Sequence, residues 1–591
     1  MCGIFFCLKK EQTLNNVENN KYTNTELDIF KNAFDLLNNR GPDSSYFDSL
    51  DNKIFGFKRL SINDLSENGN QPFINNVLNN KNKLLNFNQL SMCNGEIYNH
   101  KELENKYNIN ISSHSDCECI IPLYNLFTFS QNHIEKKLCK LFNEIDGVFS
   151  MFIYDKQYER IIIARDRIGV KPLFILNNDS FFIISSEAKS IDYIIQHHSL
   201  LKDNNKENII QLDPRSFGIY NLNTNKLDIT NYFNINNFLV NCLENEYTQH
   251  GSKKVNVFEE NIILHINQIH NLLYKAVNKR LLSDRPIGCL LSGGVDSSII
   301  ASILSKIYKK MGKKIKTFSI GFPDSTDIKY AKIVSEYIES DHYEYIINYE
   351  DALKSIPEVI KTIETYDITT IRASTPMYLL CKWIKEIFEE TVIFSGEGSD
   401  EVFGGYLYFH NSPDSFEFHR ETIRLVSNLH LYDVLRADRC TSGNSLELRE
   451  PFLDKELINY VCNLYGIYKQ PINGYEKYIL RKAFKGYLPE CVLWRKKAAF
   501  SDAVSGSDKP WYKHIQEHCE NLITDNELNI ANSKNENEIK FTKESYWFYK
   551  LFNQNFPCYN LKIQYWLPKW CNTTDPSATT IENIYKKKEH E

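Results

Sequence analysis

Cys2, directly behind the initiator in Met1-Cys2-Gly3-Ile4-Phe5, is the residue of this chain with the most chemistry to offer. Met1 precedes a small residue, and its removal would leave Cys2 carrying both a thiol and a free α-amine. An α-amine has a pKa of roughly 8, far below that of a lysine. At neutral pH a fraction of it is unprotonated and can take the thiol's proton, so nucleophile and base would share one residue. Set against this is a plainer reading, a small buried cysteine opening a strand, because free cysteines are among the most buried residues.

A second centre is Ser292-Gly293-Gly294-Val295-Asp296-Ser297-Ser298. It follows the apolar run Ile287 to Leu291 and precedes Ile299, Ile300, Ile303, Leu304 and Ile307, which share one helical face. Strand, glycine turn and helix N-terminus together aim backbone N–H groups at a phosphate. Ser292, Ser297 and Ser298 add hydroxyl donors. No Gly-Lys-Ser/Thr ending follows, so this is not the P-loop of kinases and GTPases. The motif instead resembles the pyrophosphate loop of enzymes that split ATP between its α and β phosphates. Ser395-Gly396-Glu397-Gly398-Ser399-Asp400-Glu401 repeats the arrangement after Thr391 to Phe394. Beyond the carboxyl ends of parallel strands the two loops should converge on one crevice. There Asp296 and Asp400 would offer hard oxygen ligands for Mg²⁺.

The elements that must hold these groups differ along the chain. Leu27, Phe30, Phe34 and Leu37 have helical spacing, and the pattern breaks at Asn39-Arg40-Gly41-Pro42. Val148 to Tyr154, Ile161 to Ala164 and Ser180 to Ser185 read as strands separated by turns, which favours antiparallel pairing. Asn-rich stretches at 15–25, 75–89 and 202–208 are too polar to pack a core and read as surface insertions. Beyond about residue 258, strand-like runs at 287–291, 317–322 and 391–394 alternate with long helical segments, which argues for a parallel sheet covered by helices. From about 420 to 560 the pattern is mainly helical.

Composition narrows the class. The chain has 591 residues, 42% hydrophobic and 24% charged, with a formal net charge of -6. That is ordinary for a globular enzyme of several domains, and it offers no global attraction to nucleic acid or to an anionic membrane. The Lys586-Lys587-Lys588 run reads as a solvated tail. Fifteen cysteines without framework spacing argue against a zinc site or a disulfide scaffold. No apolar stretch is long enough to span a membrane, and the apolar run Ile4 to Leu8 is too short for a signal peptide. A cytoplasmic protein with reduced thiols is expected.

Taken together, the motifs resemble the glutamine-dependent asparagine synthetases. Cys2, Asn39-Arg40-Gly41-Pro42-Asp43, Arg59-Leu60-Ser61-Ile62, Asn94-Gly95-Glu96-Ile97-Tyr98-Asn99 and Ser115-Asp116-Cys117-Glu118 match the amidotransferase half. Ser292 to Ser298, Glu364-Thr365-Tyr366-Asp367, Thr369-Thr370-Ile371-Arg372-Ala373-Ser374, Ser395 to Phe409 and Pro451-Phe452-Leu453-Asp454 match the synthetase half. The resemblance implies an α+β N-terminal nucleophile glutaminase domain, an αββα sandwich of antiparallel sheets, over 2–235. A linker over 236–258 follows. An α/β synthetase domain with a parallel sheet and the pyrophosphate loop (PP-loop) runs over 259–560 and has a helical C-terminal part. The tail at 561–591 has no assigned role.

The resemblance also implies roles. Cys2 attacks the glutamine amide, with the Asn94 side chain and Gly95 N–H as oxyanion hole. Arg59, Leu60, Ser61, Ile62, Asn63, Asn94, Gly95, Glu96 and Asp116 form the glutamine site; Arg59 takes the α-carboxylate, and Glu96 with Asp116 takes the α-ammonium. Leu290, Ser292, Gly293, Gly294, Asp296, Ser297, Ser298, Ile320, Ser395 and Gly396 bind ATP, with Mg²⁺ on Asp296 and Asp400. Glu397 serves adenylate formation and Lys477 offsets phosphate charge. Thr369, Thr370 and Arg372 contact aspartate. Ammonia passes between the sites through an apolar passage, and homodimerisation is a family expectation. Departures stand at Phe6, where glycine is usual, at Asn63, usually apolar, at Asp213-Pro214-Arg215, and at Ala498-Ala499. They bear on glutamine affinity and interdomain contact. Amidation of a different carboxylate, a β-lactam synthetase relative and a catalytically dead assembly protein remain the competing readings; the stretch Glu364 to Ser374 argues against the first, and Cys2 would have no purpose in the second.

Overall fold

The structure is a computed structural model. It describes residues 1–10, 21–76, 87–130, 132–201, 208–240, 254–498, 500–506, 509–535, 540–573 and 575–576. Most of the three Asn-rich stretches, the core of the expected linker and the lysine run near the end lie outside the described residues.

Among the described residues the first half carries twelve strands: β1 (Gly3–Lys9), β2 (Ser44–Leu50), β3 (Lys53–Arg59), β4 (Phe73–Asn76), β5 (Phe87–Ile97), β6 (Gly147–Asp155), β7 (Arg160–Arg165), β8 (Phe174–Asn177), β9 (Phe181–Ser185), β10 (Ile210–Gln211), β11 (Ser216–Asn221) and β12 (Lys226–Asn231). They form two six-stranded sheets, ordered β10-β8-β9-β1-β3-β2 and β12-β11-β7-β6-β5-β4. Every pairing in them is antiparallel. Side chains alternate across a strand, so Cys2, Ile4, Phe6 and Leu8 all enter the apolar layer between the sheets. Phe6 is an anchor of that layer, its ring 4.8 Å from that of Phe152 and 5.3 Å from that of Phe55.

The outer face of one sheet is covered by the helices Asn24–Asp35 and Ala188–His197, and that of the other by Ile120–Thr128 and Ile134–Glu144. The layers are therefore helix, sheet, sheet, helix, as expected. The three strands read from the sequence exist, but they are not consecutive partners. β6 pairs with β7, whereas β9 lies in the opposite sheet between β1 and β8.

The second half holds a parallel sheet of β13 (Ile287–Leu290), β14 (Lys316–Gly321), β15 (Asp341–Ile346), β16 (Val392–Phe394) and β17 (Glu447–Arg449), in the order β15-β14-β13-β16-β17. Helices Val295–Lys310, Thr326–Ile338 and Ile368–Ile387 supply its crossovers, and helices continue to Asn555.

Two boundaries differ from expectation. A helix spans Lys254–Lys279 and so starts inside the stretch read as linker. Just past 560 the described backbone packs against the second half: the Tyr366 hydroxyl donates to Leu561 O at 2.9 Å and the Tyr432 hydroxyl to Gln564 O at 2.6 Å. Trp566 and Trp570 close over a buried cluster of Leu407, Tyr408, Phe409 and Phe418. The described cysteines are free thiols. Among the described residues, no helix is long and apolar enough to cross a membrane.

Candidate functional site

The first site lies where β1 begins beside the end of β5. The Cys2 N–H donates to Asn94 Oδ1 at 2.8 Å, and the Cys2 thiol lies 3.9 Å from Leu60 O. Asn94 is fully buried, and its Nδ2 has no hydrogen-bond partner. A buried donor left open is costly unless something else fills it, and an oxygen that gains negative charge beside the thiol would do so. Gly95 has φ +150°, and a Cβ there would stand 2.0 Å from Val148 O, so only glycine fits against β6. Burial raises the Cys2 thiol pKa, with the positive N-terminus, the Leu60 backbone and Arg59 working the other way.

With Met1 attached, the Cys2 nitrogen is a peptide amide. The α-ammonium is that of Met1, held 3.0 Å from Glu447 and buried. The expected pairing of thiol and amine on one residue therefore needs Met1 removed.

Glu96 and Asp116 converge, as expected. Asp116 Oδ2 accepts the Ile97 N–H at 2.7 Å. Arg449 of the second half lies 3.6 Å from Glu96. Burial, then the charges of Asp116 and Glu447, push the Glu96 carboxyl well above the usual range. Asn63 donates its side-chain amide to both carboxylates, to Glu96 by a short bond and to Asp116 at 3.1 Å.

Arg59 behaves differently from expectation. Its η-nitrogens are spent on Ser66 O at 3.1 Å, Asn70 Oδ1 at 2.8 Å, Asn63 O at 3.1 Å and Asp64 O. It braces the loop of the glutamine motif instead of presenting an open fork. Leu60, Ser61 and Ile62 are buried in that loop. Ser61 N–H donates to Asp43 at 2.8 Å, and Ile62 O receives the Asp284 N–H at 2.9 Å.

The second site is a cavity of about 220 Å³ at the carboxyl ends of β13, β14 and β16. Leu290, Ser292, Gly294, Asp296, Ser297, Ile320, Thr369, Thr370, Ser395, Gly396, Glu397, Asp400 and Lys477 line it. The two glycine loops meet there: a Cβ on Gly396 would stand 2.6 Å from Ser297 N. Ser399 donates to Asp296 at 2.7 Å and ties them together. Gly293 lies behind the wall with φ +72°, where a Cβ would stand 2.5 Å from Ala331 N. Ser298 is buried behind it as well.

Lys477 Nζ sits 2.6 Å from both Asp296 and Asp400. Burial would raise the Asp400 carboxyl, but the charges of Lys477 and Lys497 outweigh it and hold the group well below its ordinary value. Two acidic side chains thus converge on one cation position, the donor set a magnesium ion shares with phosphate oxygens. Glu397 pairs with Arg436 at 2.6 Å. Its pKa is raised to about 7, by burial above all and by Asp433 and Asp400, with Arg436 opposing.

One residue of the expected set lies elsewhere. Arg372 does not line the cavity; its guanidinium is taken up by Glu544 at 2.6 and 2.8 Å and by Asp575 at 2.9 and 3.1 Å. A buried guanidinium needs carboxylate partners, and this one finds them within the chain.

Four further participants lie outside the set that the sequence predicts. Lys497 reaches Asp400 at 2.5 Å. Arg495 pairs with Asp327 at 3.0 Å, Arg436 holds Glu397, and Trp566 of the supposed tail lines the cavity. The run Arg495-Lys496-Lys497, three adjacent cations, is the available signal in the sequence.

The boundary between the halves is ionic as well as apolar. Arg40 bonds Asp438 at 3.1 Å, Lys171 bonds Asp438 at 3.3 Å, and Arg439 lies 3.8 Å from Glu187, all buried.

Comparison with known proteins agrees with this two-site geometry. A family model described as glutamine amidotransferase domain matches residues 1–237, and one described as asparagine synthase matches 268–418 and 411–560. A probable glutamine-hydrolysing asparagine synthetase of Acanthamoeba polyphaga mimivirus is 39% identical, covering 98% of this chain and 100% of that protein. The glutamine-hydrolysing asparagine synthetases of Mus musculus and Homo sapiens are each 36% identical, over 92% of this chain and 94% of theirs.

Proposed function

We propose how this chain, which belongs to the glutamine-hydrolysing asparagine synthetase family, divides its reaction between the two sites. The enzyme hydrolyses glutamine to glutamate and ammonia, adenylates the β-carboxylate of aspartate with ATP, and lets ammonia displace AMP to give asparagine. The observation that carries the division of labour is the pairing of Cys2 with Asn94. A nucleophile stands beside a buried amide nitrogen that has no partner until an oxyanion forms.

In the first site, Cys2 Sγ attacks the side-chain carbonyl of glutamine once Met1 is gone and the α-amine can take the thiol's proton. Asn94 Nδ2 and Gly95 N–H receive the oxyanion, and collapse of the tetrahedral adduct expels ammonia and leaves a thioester for water. Glu96 and Asp116 hold the α-ammonium. Arg59 braces the surrounding loop, and its interaction with the α-carboxylate requires it to give up part of that bracing.

In the second site, the first glycine loop with Ser292 and Ser297 holds the phosphates, while Leu290, Ile320, Ser395 and Gly396 contact the base and ribose. Asp296 and Asp400 would hold Mg²⁺, which supplies charge neutralisation between phosphate oxygens. Lys477 and Lys497 stabilise the charge that develops as pyrophosphate leaves. Thr369 and Thr370 face the aspartate, and Glu397, poised near neutrality, serves the adenylation step. Ammonia must cross between the sites unprotonated, because ammonium has no lone pair to attack the adenylate.

The test is Cys2→Ala. Glutamine-dependent asparagine formation should vanish while ammonia-dependent formation, read as AMP and asparagine, continues. Equal loss of both in a folded protein would refute the two-site division.

A further inference from the structure

The glutamine site carries its own competitor. Glu96 and Asp116, the carboxylates proposed for the substrate α-ammonium, are bridged by one neutral group, the side-chain amide of Asn63. Asn63 is 8% exposed, Glu96 5% and Asp116 3%, so water does little to satisfy these oxygens. A buried carboxylate without a donor costs free energy, and the two hydrogens of a primary amide serve two acceptors.

The bridge is held in place from behind. Asn63 O accepts from Arg59 at 3.1 Å, and the next residue, Asp64, receives the His114 N–H at 2.9 Å. The loop carrying Asn63 is thereby fixed to the segment carrying Asp116. The amide thus stands with its nitrogen where a cationic nitrogen would bond.

We propose that the Asn63 side chain is a built-in occupant of the α-ammonium subsite, displaced when glutamine binds, and so a specificity-determining residue for the amide donor. This rests on the assignment of Glu96 and Asp116 to the substrate ammonium. Two consequences follow from general binding physics. An intramolecular ligand that must leave subtracts from the affinity of the incoming one. It also blunts discrimination, because a ligand lacking the ammonium leaves the amide bridge in place and no acceptor unpaired. A site whose polar groups would be stranded rejects such a ligand far more strongly.

The experiment compares glutamine with glutaramate, its analogue without the α-amino group, by calorimetric titration. The proteins are Cys2→Ala and Cys2→Ala/Asn63→Val, full-length and unable to turn glutamine over. The valine variant should bind glutamine at least threefold tighter and glutaramate more weakly, so that the preference for glutamine rises by tenfold or more. An unchanged or smaller preference overturns the proposal. Ammonia-dependent synthesis by the same proteins reports folding, and if valine is not tolerated, Asn63→Ser, which cannot span both carboxylates, should move the preference the same way. Cys2→Ala protein that does not distinguish the two ligands at all refutes the ammonium assignment itself, which separates that failure from failure of the displacement.

Discussion

Glu447 and Arg449, two residues apart on one face of β17, are joined by a hydrogen bond of 2.6 Å from Arg449 Nε to Glu447 Oε1, and Arg449 Nη2 lies 2.6 Å from the same oxygen. Glu447 also holds the Met1 α-ammonium at 3.0 Å, Arg449 lies 3.6 Å from Glu96, and Arg449 O receives the Ser395 N–H at 3.1 Å. A three-residue strand therefore touches the neighbour of the nucleophile, the ammonium subsite and the second phosphate loop.

Arg449→Met should strip the positive charge from between Glu447 and Glu96. Breaking a buried pair by removing one partner typically costs about 3–5 kcal/mol. The melting temperature should fall, and the KM for glutamine should rise at least tenfold. The KM for ammonia, which bypasses the first site, should move far less. Steady-state assays with each nitrogen donor check the difference.

Lys497→Met removes one of the two cations on Asp400. Lys477 alone then offsets two carboxylates and the incoming phosphates, so the KM for ATP should rise by about tenfold or more, in line with the 1.4 kcal/mol that separates each decade. Glutamine hydrolysis, assayed as glutamate release without ATP, should remain near its original rate.

Lys497 also marks what the sequence could and could not disclose. Loops such as Ser292 to Ser298 declare themselves because glycine, serine and aspartate at that spacing serve one purpose, and a run like Ile287 to Leu290 announces a buried strand. β15 leaves no such sign because Asp341-His342-Tyr343-Glu344-Tyr345-Ile346 is a largely exposed edge strand without an apolar run, and β17 because three residues carry no period. The sequence neighbours of Arg372 point it toward aspartate. Its partners come from Glu544 and Asp575, 172 and 203 residues away. Pairings set by tertiary packing leave no local trace. Asn63 was read as a departure in an apolar position, but that it bridges Glu96 and Asp116 is visible only in three dimensions.

Glu397 gives the second site a pH signature. Its carboxyl titrates at about 7 in the folded protein, above its ordinary 4.5, chiefly through burial. Because the folded pKa is the higher one, the stability this group lends is complete below the ordinary carboxylate range and is lost as pH rises through about 7. Activity runs the other way if the anion is the working form. Aspartate-dependent AMP release under saturating ammonia should climb nearly tenfold per pH unit below 7 and level above it. Glu397→Gln should lower the rate and flatten that limb. An unchanged limb in the glutamine variant would assign the titration to another group.

Removal of residues 561–591 tests whether the last stretch belongs to the site. Truncation deletes Trp566 from the cavity wall, takes Asp575 from Arg372 and removes the backbone acceptors of Tyr366 and Tyr432. The Arg372 guanidinium keeps Glu544, so the fold should survive with a lowered melting temperature. The cavity, opened on the side facing Tyr406 and Tyr408, should lose water exclusion around the adenylate. The expected result is a rise in AMP released per asparagine formed, as water competes with ammonia, while glutaminase activity in the distant first half is retained. Measuring AMP and asparagine together in one reaction gives the ratio directly, and a ratio unchanged from the full chain would place the stretch outside the catalytic enclosure.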